Sequence, residues 1–270
     1  MTGVQTCALP ISITDVCGRF VTASSPALIA DRFAVHDVDA TVAPDPEPDY
    51  NVSPRRNVLA VRAQAVEEGK PRRVLSRLRW GLVPSWAKEV KIGDRMINAR
   101  AETVASKPAY RRAFADKRCL IPADGYYEWK PGVAGTAGAS GAKPRKQPYF
   151  IHRRDGEPMA FAGLWEVWKV PDGVPDNGVA SVGGVDGWLR SCVIVTTDAN
   201  AALAAIHNRM PVILPESAWE QWLDPDEHDI DALTKLLVPA PDALFEVYPV
   251  STNVNNARNN GPELARAVVV

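Results

Sequence analysis

The sequence predicts an α+β fold: a single compact domain with a largely antiparallel, barrel-like β core and peripheral helices. Three observations carry this expectation. Segments with strand character outnumber those with helical character, and the two do not alternate as a doubly wound parallel sheet requires. No internal repeat and no long linker divides the chain. With 46% hydrophobic and 23% charged residues over 270 positions, there is enough apolar material for one substantial core.

In chain order, the first sixteen residues (MTGVQTCALPISITDV) lack the basic n-region, long apolar h-region and small-residue cleavage site of a secretory signal. They resemble a translated library adapter, so 1–16 are expected to be a non-native or cleaved leader and 17–270 the domain. A GTG start codon at Val16, read as methionine and then removed, would leave Cys17 as the first residue. A helix is expected at 25–34. The Pro- and acid-rich stretch 40–50 reads as a surface loop leading to Asn51-Val52-Ser53-Pro54. Short apolar or alternating runs near 57–63, 74–83, 118–121, 148–152, 159–168, 188–196 and 245–250 predict strands, being rich in β-branched and aromatic residues. Further helices are expected at 109–116, 199–205, 216–223 and 228–237, several with Ser, Asp or Pro near the start. Two stretches, Pro131 to Lys146 and Pro171 to Gly187, hold too little apolar content to pack and read as flexible hairpin tips.

The formal net charge of −1 hides a partition. Residues 51–118 carry 17 Lys and Arg against 6 Asp and Glu, a net +11, while both ends of the chain are acidic. A polyanion could bind that middle segment; the competing reading is a solvated surface whose charges pair with the acidic ends. Four cysteines (Cys7, Cys17, Cys119, Cys192) lie far apart with no CxxC or Cys/His spacing. Neither a zinc site nor a disulfide framework is indicated, no cofactor motif is present, and a reducing cytoplasm fits.

Five segments could carry chemistry. Cys17, placed at a processed N-terminus, would offer a thiol and an α-amine on one carbon skeleton; an aldehyde could condense with the amine, and the thiol could then close a five-membered thiazolidine. Inside the chain it reads as a small buried hydrophobe. In Asn98-Ala99-Arg100-Ala101-Glu102-Thr103, an extended strand would set Asn98, Arg100 and Glu102 on one face, suited to a phosphate and a sugar or simply to a surface ion pair. Glu128, between Tyr127 and Trp129, would have its pKa raised by desolvation and could donate a proton near neutrality. His207, beside Arg209 in AIHNRMP, could shuttle protons while the arginine holds a phosphate. Trp80 and Trp86, interleaved with Arg77, Arg79, Lys88 and Lys91, supply the planes and charges that single-stranded nucleic acid needs. Tryptophan is more often a core residue, so at least one of the two is expected to be buried.

In this order, CGRF, YNVSP, WGLVPSWAK, NARAET, KPAYRRAF, RCLIPADGYYEW, FAGLWE, the TT-to-HNRMP segment and PVST-N resemble the SRAP (SOS response-associated peptidase) family from Cys17 to the C-terminus. The resemblance implies an abasic-site processing protein that works on single-stranded DNA as a monomer in the cytoplasm, at the nucleoid when bound. It implies that N-terminal Cys17 attacks the ring-opened aldehyde and forms a thiazolidine DNA–protein crosslink. Asn98 would hold the N-terminal residue and sugar, Glu128 would act as general acid and base, and His207 would assist Schiff-base formation and reversal. Arg19, Arg100 and Arg209 would bind phosphates, with Asn51, Pro54, Trp80 and Trp86 shaping the groove. Self-processing with the same Cys17, Asn98, Glu128 and His207 would release the leader.

Two other readings stand beside this one. A cysteine peptidase or amidohydrolase would use Cys17 with His207 as base, and a non-catalytic single-stranded nucleic-acid-binding module would need the basic segment and not Cys17.

Overall fold

The computed structural model describes residues 17–66, 69–132, 146–171, 184–185 and 187–270. The expected leader and most of the two expected hairpin tips lie outside the described residues.

Five strands close into a barrel. They are β4 (Asn57–Gln64), β5 (Arg72–Trp80), β7 (Arg118–Ala123), β10 (Met159–Lys169) and β12 (Trp188–Asp198). The order β12-β10-β7-β4-β5 is antiparallel throughout and is closed by parallel pairing of β12 with β5 at Ser191↔Arg79 and Cys192↔Trp80. Closure removes the unpaired edges an open sheet would leave. Short strands extend it: β2 (Asp37–Val38) on β5, and β6 (Asn98–Arg100), β11 (Gly184–Val185) and β13 (Arg209–Pro211) on β12. A second antiparallel sheet contains β1 (Phe20–Thr22), β3 (Asp49–Val52), β8 (Gly125–Lys130), β9 (Gln147–Arg153) and β14 (Phe245–Pro249) in the order β14-β9-β8-β1-β3. The expected antiparallel, barrel-like core is borne out, with one parallel seam.

The chain passes from barrel to second sheet at Asp124. Its carboxylate accepts from the backbone N–H of Ala23 (2.6 Å) and Ser24 (2.9 Å), fixing the end of β1 against the start of β8. Gly125 follows because a Cβ there would sit 2.1 Å from the Phe150 ring.

The helices are short and peripheral: α1 (Pro26–Arg32), α2 (Ala101–Val104), α3 (Arg111–Asp116), α4 (Ala201–Ala204), α5 (Trp219–Leu223) and α6 (Ile230–Lys235). Side chains of Ser25, Asn200 and Asp229 cap α1, α4 and α6, satisfying backbone donors that a first turn leaves open. One core cluster packs helix residues, among them Phe33, Phe114, Trp219 and Trp222, onto barrel residues such as Leu75 and Leu120. Beneath it the buried Arg118 guanidinium donates to the carbonyls of Phe114 (2.7 Å), Ala115, Trp222 (2.7 Å), Asp224 and Glu227 (3.1 Å). A second cluster joins barrel to second sheet through Phe20, Trp80, Tyr126 and Phe161, and Cys17 belongs to it.

Two expectations need correction. The strand expected over 74–83 ends at Trp80, where Gly81 turns at φ +119° and lies so close to Gly93 that a Cβ would meet its carbonyl at 2.5 Å. The strand expected to align Asn98, Arg100 and Glu102 stops at Arg100. Helix α2 begins at Ala101 and carries Glu102 in its first turn, where a carboxylate is favoured, so Glu102 leaves that face.

Candidate active site

Cys17 lies just ahead of β1, and antiparallel pairing of β1 with β8 brings it to Glu128. The register Phe20↔Tyr126 continues with the Tyr127 N–H donating to the Arg19 carbonyl at 3.0 Å. One step further, the backbone N–H of Cys17 donates to Oε1 of Glu128 at 2.6 Å. Cys17 is fully buried and holds a left-handed φ of +48°, a conformation that costs a non-glycine residue about 1–2 kcal/mol. The nitrogen and not the sulfur is therefore what the acid holds.

Glu128 is the acid the sequence anticipates. Burial pushes its carboxyl up to about 8, against the opposing pull of the Cys17 and Trp129 backbone hydrogen bonds and the Lys146 charge, so it keeps its proton at neutral pH. Burial, and then the Glu128 charge, raise the Cys17 thiol well above the usual thiol range. The sulfur at rest is a thiol, not a thiolate.

His207 follows α4 and is half-buried. Its Nδ1 accepts the Arg209 N–H at 3.1 Å, so the neutral ring carries its proton on Nε2. Burial, then the charges of Lys146 and Arg209, lower its pKa and keep the ring neutral at pH 7. Lys146 thus acts electrostatically on both Glu128 and His207; nothing in its Pro- and Gly-rich neighbourhood signals that role. Asn98 stands on β6 against Ile194 of β12, and the preceding Ile97 accepts the Trp80 indole N–H at 2.9 Å. Ile97 packs on the cluster that holds Cys17.

The residues expected to meet DNA divide by exposure. Trp86 is 61% exposed and Arg100 is exposed, while Pro54 is half-buried at the surface. Trp80 is fully buried and offers no face to a base, which corrects its place in the stacking surface. Asn51 is likewise buried: its amide donates to the carbonyls of Val254 (3.3 Å), Asn256 (3.0 Å) and Asn259 (3.0 Å). Its Oδ1 accepts from Arg19 at 2.7 Å, and Arg19 also donates to the Val254 carbonyl at 2.8 Å. Asn51 and Arg19 thereby fasten the C-terminal segment beside Cys17. Arg209 donates to Glu102 (2.5 and 3.1 Å), Asp198 (2.8 Å) and the Thr196 carbonyl (2.7 Å). A phosphate would have to displace carboxylates from it, so the expectation of an open phosphate-binding arginine is corrected.

A cavity of about 490 Å³ bordered by Thr22, Asp49, Arg55, Asn57 and Arg77 lies beside the β1–β3 pair, but Cys17, Glu128 and His207 do not line it. Among the described residues no group of three or more His, Cys, Asp or Glu could hold a metal ion. No described helix is long and apolar enough to cross a membrane.

A closed mixed barrel beside which a buried cysteine, Cys17, presents its backbone nitrogen to a buried, protonated glutamic acid defines a class of barrel proteins with a cysteine–glutamate centre. Comparison with known proteins gives that class a family. The chain belongs to the SOS response associated peptidase (SRAP) family, whose sequence model matches residues 16–257. It is 40% identical over 251 residues to the abasic site processing protein YoqW of Bacillus subtilis (strain 168), covering 92% of this chain and 98% of that one. It is 31% identical to the abasic site processing protein HMCES of Xenopus tropicalis, over 83% of this chain and 67% of that one. Among solved structures, a phage-related protein from Bordetella bronchiseptica is 30% identical with a TM-score of 0.59, covering 87% of this chain and 94% of that one. A protein from Bacteroides thetaiotaomicron superposes with a TM-score of 0.72 at 22% identity, over 94% of this chain and 100% of that one, a likeness of fold.

Proposed function

We propose that this protein processes abasic sites in single-stranded DNA, acting as a monomer, and that Cys17 as the first residue forms a thiazolidine with the ring-opened sugar aldehyde. The observation that carries this reading is the 2.6 Å hydrogen bond from the Cys17 nitrogen to Glu128. A site built for thiol attack alone would set a base on the sulfur; here the acid addresses the nitrogen, the atom that must add to an aldehyde first. The relatives' names supply the substrate class.

In this mechanism the unprotonated α-amine adds to the aldehyde while Glu128 donates its proton to the carbonyl oxygen and takes one back from the nitrogen, a task suited to an acid of pKa about 8. His207, neutral and buried on one side, exchanges protons during imine formation and reversal. Trp86 and Arg100 supply a stacking face and a cation to the flanking strand.

One geometric feature favours self-processing as well. With residue 16 still attached, the nitrogen held by Glu128 is the leaving nitrogen of the 16–17 peptide bond. Protonation there by Glu128, with attack on the Val16 carbonyl by the Cys17 thiol and then by water, would release a carboxylic acid and free the amine.

Every described strand and helix starts at Phe20 or later and the family match starts at residue 16, so a chain opened at Cys17 contains every described strand and helix. That chain, incubated with an oligonucleotide bearing one abasic site, is expected to give an adduct that survives denaturation. Cys17→Ala should bind the oligonucleotide without forming it. Peptide hydrolysis with no adduct would overturn the reading in favour of a peptidase, and indistinguishable wild type and Cys17→Ala would favour a non-catalytic binding module.

A further inference from the structure

Tyr126 is buried completely, and its hydroxyl has no hydrogen-bond partner among the described residues. Buried hydroxyls are almost always satisfied, so such an orphan calls for a physical reason. Its neighbour shows the ordinary case: Tyr127, on the opposite face of β8, donates to the Tyr50 carbonyl at 2.9 Å. Tyr126 stands two residues before Glu128 on the same strand, which places both side chains on one face. Its ring is held edge-on to Phe161 at 5.9 Å, and its backbone is locked opposite Phe20. It shares the buried cluster that contains Cys17, and it lies within electrostatic range of both Cys17 and Glu128. The orphan hydroxyl is thus fixed beside the reacting pair and cannot turn to solvent without unpacking the core.

We propose that Tyr126 is a further catalytic residue, whose hydroxyl donates a hydrogen bond to the aldehyde oxygen of the ring-opened deoxyribose when that oxygen is seated against Cys17. This rests on the function proposed above. When the Cys17 amine adds to the carbonyl carbon, the carbon–oxygen π pair moves onto the oxygen, and a fixed donor there stabilises the developing charge. Glu128, engaged with the nitrogen, carries the proton from nitrogen to oxygen and supplies the second proton with which the oxygen leaves as water. That departure leaves an iminium and a Glu128 carboxylate; the thiol sulfur then adds to the iminium carbon and its proton returns to Glu128, so aldehyde and aminothiol give thiazolidine and one water. Burial keeps the phenol protonated throughout, as a donor must be.

Tyr126→Phe tests this, since it removes the hydroxyl and keeps the ring. In the chain opened at Cys17, single-turnover crosslinking to the abasic oligonucleotide is expected to slow by roughly 10- to 100-fold at every pH, toward the lower end of what loss of one such donor costs. Affinity for the same oligonucleotide without the lesion, and the melting temperature, should not fall. A rate within about twofold of wild type would overturn the proposal, as would a variant whose pH midpoint moves while its plateau rate is kept, since the hydroxyl would then act through Glu128. A lowered melting temperature would also overturn it by revealing a structural partner. Failure of the wild-type chain itself to crosslink would instead sink the proposed function, so the two failures are separable.

Discussion

Replacing Glu128 by glutamine should change how stability depends on pH. In the folded chain burial holds the Glu128 proton up to about pH 8, against an ordinary value of 4.5 that returns on unfolding. Between those values the folded state binds one proton more than the unfolded state, so stability falls as pH rises. The favourable contribution is fully present below pH 4.5 and is lost by the time pH passes about 8. The separation of about 3.5 pH units, at 1.36 kcal/mol each, amounts to roughly 5 kcal/mol by pH 9 and about 3 kcal/mol at pH 7. Glutamine keeps the shape and the Oε1 acceptor for the Cys17 N–H and never ionises. Urea unfolding of both proteins from pH 5 to pH 9 should therefore show Glu128→Gln gaining about 1.4 kcal/mol on wild type per pH unit up to about pH 8. Carboxylates of opposite sign, such as Asp155, held down to about 2 chiefly by its hydrogen bond from Arg153, cancel in this difference. A difference that stays flat across the range would refute a buried, protonated Glu128, and with it the acid role assigned above.

Four further outcomes follow. Arg118→Met, which leaves five carbonyls without their guanidinium, should lower stability by about 3 kcal/mol in urea melts. Trp80→Ala should lose about 3–5 kcal/mol of stability as a core cavity. Trp86→Ala should leave stability within about 0.5 kcal/mol and weaken single-stranded DNA binding by about 1–3 kcal/mol in anisotropy titrations. Arg100→Ala should reduce the slope of log affinity against log salt by about one, whereas an unchanged slope would remove Arg100 from the phosphate contacts.

The long barrel strands were legible because eight to eleven residues of β-branched and apolar sequence leave a pattern; β4, β10 and β12 fall on the predicted segments. The strands that build the site were not. β1 and β13 have three residues each, too few for a period, and the first four residues of β8 are buried on both faces, so no alternation marks it. The environment of Glu128 could be read from its aromatic flanks. The partners of Arg209 could not, since Glu102 lies 107 residues away and reaches it only through the pairing of β6 and β13 with β12. Trp80 and Trp86 are alike in sequence, six residues apart among basic residues. Only the strand end at Trp80 sends one inward and leaves the other in solvent. Tyr126 lay in a motif already singled out, but an orphan hydroxyl is a property of packing and leaves no mark in the sequence.

The central claim is that the Cys17 nitrogen is the reacting atom. Intact-mass and fragment analysis of the adduct between the chain opened at Cys17 and an abasic oligonucleotide tests it most directly. The expected mass is the sum of protein and DNA less one water, with the modification confined to Cys17 and neither its amine nor its thiol open to alkylation. An adduct on a lysine, or one that leaves the Cys17 amine free, would contradict the account.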